Sequence, residues 1–213
     1  MSGPDRLIIM TRFPCEGKNK TRLIPALGTA GATALHERLA KHTVRTAKNF
    51  LAIHPVAQLE VHLDGGTPEA GRAWLGEIEC IAQTSGDLGQ RMEAAAAGAF
   101  AHGAQRVVII GTDCPSLEET TIAQAFDRLH VSDVVLGPAE DGGYYLIGMQ
   151  QLWPELFTGI DWGSSRVLAQ TLHAAKVAQL DVAQLAFLED VDTPADLPAA
   201  FARLDLSSPQ SGE

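Results

Sequence analysis

Asp113 stands in Gly111-Thr112-Asp113-Cys114-Pro115, directly after Val107-Val108-Ile109-Ile110. That apolar, β-branched run, ended by Gly and Pro, reads as a buried strand of a parallel sheet. A carboxylate just past such a strand stands where open α/β sheets bind ligands. A hard dication such as Mg²⁺ takes oxygen ligands and keeps several waters, so one or two carboxylates suffice to hold it. An Asp can also cap a helix. Here Ser116, with Glu119 three residues on, reads as the better cap, which leaves Asp113 free for a ligand.

Four more segments could join it. The loop Thr11 to Arg22 gathers Arg12, Lys18, Lys20 and Arg22, four of the sixteen Lys and Arg in an acidic chain. Arg presents a planar donor fork and Lys a compact charge, so the cluster reads either as a phosphate cradle or as a solvated basic loop. It has neither P-loop nor dinucleotide-fingerprint spacing. Asp190-Val191-Asp192 is a paired carboxylate that reads either as a metal site or as an anion pair at a helix N-terminus. Asp141-Gly142-Gly143-Tyr144-Tyr145 is a turn that could bring backbone N–H groups close to a ligand. Gln83-Thr84-Ser85-Gly86-Asp87-Leu88-Gly89-Gln90-Arg91 follows a third strand, and Asp87 in it could simply cap the next helix. Trp162 reads as a packing residue rather than a stacking platform.

The elements that must position these residues alternate. Strands are expected at Leu7–Met10, Leu59–Leu63, Glu77–Ala82, Val107–Ile110, Val134–Leu136 and Tyr144–Met149. One last strand, or two short ones, falls within Val177–Leu188. Helices are expected at Ala30–Leu51, Pro68–Leu75, Asp87–His102, Glu118–Leu129 and Val167–Lys176. A final helix follows a capping box at Thr193-Pro194-Ala195-Asp196. This is a single-domain α/β chain with a mostly parallel sheet over residues 1–206, one strand antiparallel near Asp141, and a disordered tail at 207–213.

Composition bounds the partners. The chain has 213 residues, 46% of them hydrophobic, enough for one sizeable core. A net charge of −10 offers no surface for a nucleic-acid backbone. No stretch is apolar enough to span a bilayer and no signal-peptide pattern opens the chain, so a cytoplasmic protein without membrane contact is expected. Three separated cysteines argue against a disulfide framework, and Cys114 reads as a small buried thiol.

Taken in order, Lys20-Thr21-Arg22-Leu23, Gln83 with Gly86 to Met92, Gly111 to Pro115, Gly137-Pro138 with Asp141 to Tyr145, and Asp190 to Leu197 resemble a bacterial family of glycosyltransferase-A-like proteins. Its members are often labelled glycosyltransferases or nucleotide-diphospho-sugar transferases. They are related to the 2-phospholactate and molybdenum cofactor guanylyltransferases and to the sugar nucleotidyltransferases. The resemblance implies a Rossmann-like three-layer sandwich with a nucleotide over its N-terminal half. It implies nucleotide contacts from Arg12, Lys20, Arg22, Gln83, Gly86, Arg91 and Thr112. Asp141, Gly142, Gly143 and Tyr144 would face an acceptor. Asp113 and Asp192 would hold Mg²⁺ or Mn²⁺, and Lys20, Arg22 and Asp113 would be catalytic. One departure stands out. The family's first loop commonly has a second proline where this chain has Glu16, which questions the stiffness of the loop rather than its charge.

The implied chemistry is nucleotidyl transfer from a nucleoside triphosphate to a small phosphorylated or carboxylate acceptor. Such an acceptor is already ionised, so no general base is needed. Glycosyl transfer from a nucleotide sugar is the alternative. Those enzymes usually carry Asp-x-Asp after the central strand, where this chain has only Asp113. A non-catalytic nucleotide-binding module is the third reading.

Overall fold

A computed structural model describes residues 3–204. Seven strands form one sheet: β1 (Arg6–Arg12), β2 (Gln58–Asp64), β3 (Glu79–Ala82), β4 (Val107–Ile110), β5 (Val134–Pro138), β6 (Tyr144–Met149) and β7 (Val182–Gln184). Their order is β3-β2-β1-β4-β6-β5-β7. Every pairing is parallel except those of β6, which runs antiparallel between β4 and β5. The single antiparallel strand falls where the short Asp141 turn requires it. A parallel neighbour would need a long crossover.

Among the described residues there are six α-helices, α1 (Ile24–Ile53), α2 (Pro68–Leu75), α3 (Leu88–Ala101), α4 (Glu119–Arg128), α5 (Val167–Val177) and α6 (Leu197–Arg203), of which α6 packs on α1 rather than on the sheet. Alternate residues of β1 face opposite ways. Leu7 and Ile9 join one core with Val44 and Phe50 of α1 and Phe126 of α4, while Ile8 and Met10 join another with Met92 and Ala96 of α3. The two cores make the three-layer sandwich that the resemblance implies. A third, smaller cluster unites Leu23, Leu35 and Leu39 with Val191, Leu197 and Phe201. It ties the loop after β1 to the segment before α6.

Most element boundaries agree with the sequence reading. Two differ for physical reasons. Helix α1 begins at Ile24 rather than Ala30, because Pro25 suits a first turn, and it breaks at Gly28 (φ 70°), a conformation that favours glycine. Ser116 does not cap α4. The helix starts at Glu119, its N-cap is Glu118, and no side chain caps it. The turn at Pro115 delays the helix instead, with Leu117 N–H donating to the Cys114 carbonyl at 3.1 Å. By contrast, Asp87 caps α3 in a full capping box with Gln90. The Thr193–Asp196 box also forms, with Asp196 accepting N–H bonds from Asp192 and Thr193. The tail expected at 207–213 lies outside the described residues.

Candidate active site

The chain runs from β1 outward to β2 and β3, then returns to lay β4 on the other side of β1. The crevice beyond the carboxyl ends of β1 and β4 is therefore a topological switch point. Lys20 follows β1 and Asp113 follows β4, and the two meet there. Lys20 Nζ lies 2.8 Å from Asp113 Oδ1 and 4.0 Å from Asp192 Oδ1. It also donates to the Val191 carbonyl at 2.5 Å. Arg22 pairs with Asp192.

Packing fixes this meeting. Leu23 and Val191 are buried in the same apolar cluster, which brings their neighbours Arg22 and Asp192 together. Val191 N–H donates to the Asp113 carbonyl at 2.9 Å, so the loop after β4 and the segment before α6 are joined by backbone as well. Lys20 has left-handed backbone angles (φ 47°, ψ 47°), rare for a residue with a side chain. Strain of this kind costs on the order of 1–3 kcal/mol and clusters at functional sites. The ion pairs of its ammonium hold the conformation. The loop's stiffness, questioned by Glu16, is restored locally. Asn19 is buried, accepts from Cys15 N–H at 2.5 Å and donates to the Phe13 carbonyl at 3.5 Å.

The exposures show which charges are available. The Lys20 side chain is 5% exposed, whereas those of Asp113 and Asp192 are 51% and 35% exposed. A buried ammonium thus supports two carboxylates that present their remaining oxygens to the crevice. Asp190 lines the same crevice. Burial first, then the negative charges of Asp141 and Asp192, push its carboxyl up to about 6. Among the described residues no three His, Cys, Asp or Glu side chains form a ready-made metal cage. The donor set is two accessible carboxylates beside a crowded third, which suits a hard dication that keeps water or substrate oxygens. Cys114 is buried, and desolvation next to Asp113 pushes its thiol up, so it is inert.

A polar network lies on the β2 side. Arg91 donates to Asp64 Oδ2 at 2.8 Å and to Gln83 Oε1 at 3.2 Å, and Arg12 Nε lies 3.6 Å from the same Asp64 oxygen. Gln83 Nε2 donates to the carbonyls of His62 (2.8 Å) and Thr11 (3.2 Å). The Gln83 amide is therefore engaged by protein groups and orients Arg91. Asp64 escaped the sequence reading, although it ends β2 as Asp113 follows β4 and the same strand-end signal applies. His36 also escaped it. It is buried beside the crevice with Nε2 2.9 Å from the Arg12 carbonyl, and desolvation pushes its imidazole below the usual histidine range. Thr112 is buried, its hydroxyl 3.4 Å from that of Thr11. Gly86 (φ 123°) makes the turn into α3 and does not reach the crevice lining.

The opposite side holds the Asp141 turn. Asp141 Oδ1 accepts the Gly143 N–H at 2.8 Å, and Leu168 N–H donates to the Gly142 carbonyl at 2.9 Å. Gly142 (φ 85°) has no room for a side chain, since a Cβ would sit 2.2 Å from the Ser165 carbonyl oxygen. Tyr144 and Trp162 meet edge to face at 6.3 Å. Of the residues expected at the site, Arg12, Lys20, Arg22, Gln83, Arg91, Thr112, Asp113, Asp141, Gly143, Tyr144 and Asp192 all line one cavity of about 500 Å³. That volume falls in the range of small-molecule sites.

No helix among the described residues is long and apolar enough to cross a membrane. No functionally curated protein matches the chain. A protein from Desulfovibrio desulfuricans G20, provisionally named a nucleotide-diphospho-sugar transferase, is 33% identical. That match covers 95% of this chain and 91% of that one, with a TM-score of 0.84. The 4-diphosphocytidyl-2C-methyl-D-erythritol synthase of Anaerococcus prevotii DSM 20548 shares the fold at 10% identity, covering 95% and 96% of the two chains with a TM-score of 0.64. Rv0371c of Mycobacterium tuberculosis H37Rv, in complex with manganese, shares it at 18% identity over 93% and 98%, with a TM-score of 0.55. A family model described as an uncharacterized protein conserved in bacteria (DUF2064) matches residues 35–164, the stretch that carries Asp64, Gln83, Arg91, Asp113 and the Asp141 turn. With that match over more than half its length, the chain belongs to the DUF2064 family of conserved bacterial proteins.

Proposed function

We propose that the protein is a metal-dependent nucleotidyltransferase that moves a nucleoside monophosphate from a nucleoside triphosphate to a small phosphorylated or carboxylate acceptor. One observation carries the reading. The buried Lys20 ammonium, with Arg22 beside it, is bracketed by Asp113 and Asp192 at the switch point of the sheet. Arg22 neutralises phosphate oxygens, Lys20 behind it holds Asp113 and Asp192 in place and adds its positive charge to the field at the phosphates, and Arg12 and Arg91 extend the positive rim toward β2. Asp113 and Asp192 hold Mg²⁺ or Mn²⁺, which when bound offsets charge on the phosphates. An ionised acceptor oxygen attacks the α-phosphorus in line. The new O–P bond forms as the bond to the bridging oxygen breaks, and pyrophosphate leaves with that electron pair. No proton moves, so positioning and electrostatics supply the catalysis. The names of the Desulfovibrio relative and of the diphosphocytidyl synthase agree with nucleotide use, and the manganese complex of Rv0371c agrees with a dication.

Glycosyl transfer is the second reading, favoured by one observation. Asp190 and Asp192, a literal Asp-x-Asp, both line the cavity. Against it, the loop after the central strand β4 offers only Asp113. Incubation with each triphosphate, Mg²⁺ and a panel of acceptor phosphates decides between them. Pyrophosphate release that disappears in Asp113→Asn supports nucleotidyl transfer. Release of nucleoside diphosphate from a nucleotide sugar, with no pyrophosphate from any triphosphate, overturns it.

A further inference from the structure

The cavity lining is of two kinds. Lys20, Asp113, Asp192 and Arg91 are charged, while Leu88, Trp162, Tyr144 and Val167 offer mostly apolar surface. Leu88 is the anomaly. It opens α3 and is 41% exposed at a place that faces the cavity rather than a core. Its neighbour Gly89 explains how the apolar surface is built. A Cβ at Gly89 would lie 2.4 Å from Trp162 Nε1 and 2.7 Å from the Phe157 carbonyl oxygen. The missing side chain therefore lets the indole lie directly against the first turn of α3. Trp162 in turn meets the Tyr144 ring edge to face. The Asp141–Gly143 turn is pinned to the same segment through Ser165 and Leu168.

We propose that Leu88 and Trp162 form an apolar shelf that seats the acceptor, and that the acceptor carries an aromatic or other apolar group next to its phosphate or carboxylate. A polyhydroxylated sugar phosphate could bond the Asp141 turn and Ser164, which line the same cavity, but would leave Leu88 wet. An aryl or alkyl group covers Leu88 and stacks on the indole, gaining the burial that the exposed side chain lacks. Tyr144 opens β6, beyond β4, whereas Arg12 and Asp64 end β1 and β2; Leu88, one turn before Arg91 on α3, stands between the Tyr144–Trp162 pair and the polar network. The two substrates thus divide the cavity. The nucleobase takes the polar side and the acceptor's apolar group takes the shelf. This assignment to the acceptor rests on the nucleotidyl-transfer reading above.

The test uses phenyl phosphate and methyl phosphate as probes on the full chain, with Mg²⁺ and a non-hydrolysable triphosphate present. Tryptophan emission and the melting temperature are both followed. Phenyl phosphate is expected to bind at least about tenfold more tightly than methyl phosphate, a difference of about 1.4 kcal/mol. It should change an emission signal that Trp162→Phe removes. Leu88→Ser should lose most of the preference at an unchanged melting temperature, and Leu88→Met should keep it. Equal binding of the two phosphates, or a preference untouched by Leu88→Ser, overturns the shelf. So does a triphosphate that alone gives the Trp162 signal and excludes phenyl phosphate, since the base would then occupy the shelf. The triphosphate's own effect on melting is read in the same samples. If it is absent while the phenyl preference persists and depends on Leu88, the transfer reading fails and the apolar shelf stands.

Discussion

The sheet holds a charged cluster at each end, and the two are built differently. At the amino end of β1 and β4, Asp5 is 3% exposed and takes both arms of the Arg106 guanidinium at 2.8 and 2.7 Å. Arg106 also donates to the Phe126 carbonyl, and His54 closes the remaining side of Asp5 at 3.1 Å. Every partner is protein, and nothing is left to offer. At the carboxyl end the burial is reversed. The cation is buried, the carboxylates are half open, and Asp190 is crowded by like charges. The first arrangement spends its charges on holding the chain together. The second leaves its carboxylates half open to the crevice, beside a left-handed Lys20. Charge alone does not mark a site. Charge left unsaturated at the switch point does.

The contrast can be broken most forcefully at the amino end. Asp5→Ala strands a buried guanidinium, and breaking a buried pair of this kind costs about 3–5 kcal/mol. For a chain of this size that lowers the melting temperature by roughly 6–20 °C. Calorimetry checks it, and any triphosphate-induced shift should survive in the folded variant. A loss below about 1 kcal/mol would mean that the closed network is not the staple described.

A smaller effect separates two helix starts that look alike in sequence. Asp87→Ala should cost about 1 kcal/mol, because its side chain accepts from Gln90 N–H at 2.9 Å. Ser116→Ala should cost almost nothing, since Glu118 is the N-cap of α4 and no side chain caps it. Urea unfolding of the two variants measures both, and equal losses would refute the assignment of the caps.

The smallest effect is a pH dependence at the carboxyl end. Burial lowers the His36 imidazole below its ordinary value. The unfolded chain therefore takes up that proton first as pH falls. The stability His36 contributes is present above the ordinary histidine range and is lost on acidification through its lowered value. His36→Gln should flatten the decline of melting temperature between about pH 7 and pH 5 relative to the parent. A parallel decline in both proteins would show that His36 does not titrate as its burial demands.

The strand before Asp113 was legible because a β-branched run ended by Gly and Pro has few other uses. The strand Leu59–Leu63 was legible from its alternation instead, yet Asp64 at its end went unread, because a carboxylate followed by two glycines looks like ordinary turn chemistry. Ser116 failed as a cap because the Pro115 turn postpones the helix, which spacing alone does not reveal. Gln83 lines the cavity as its place after β3 implies, but its bonding has no local signature. Its amide is spent on two carbonyls and Arg91, and only three-dimensional proximity between β1, β2 and β3 shows that. The joining of Lys20 to Asp192 across more than 170 positions depends on Leu23 packing against Val191, an apolar contact with no local signature.

The central claim is that the carboxyl-end cluster holds a metal–nucleotide while the amino-end cluster holds the fold. The melting temperature of the parent and of Asp113→Asn, each with and without Mg²⁺ and a panel of nucleoside triphosphates, tests it most directly. Asp113→Asn should melt within a few degrees of the parent without ligand, and at least one triphosphate should raise the parent by a Mg²⁺-dependent increment that the variant lacks. An increment of equal size in both proteins, or no response of the parent to any triphosphate, would contradict it.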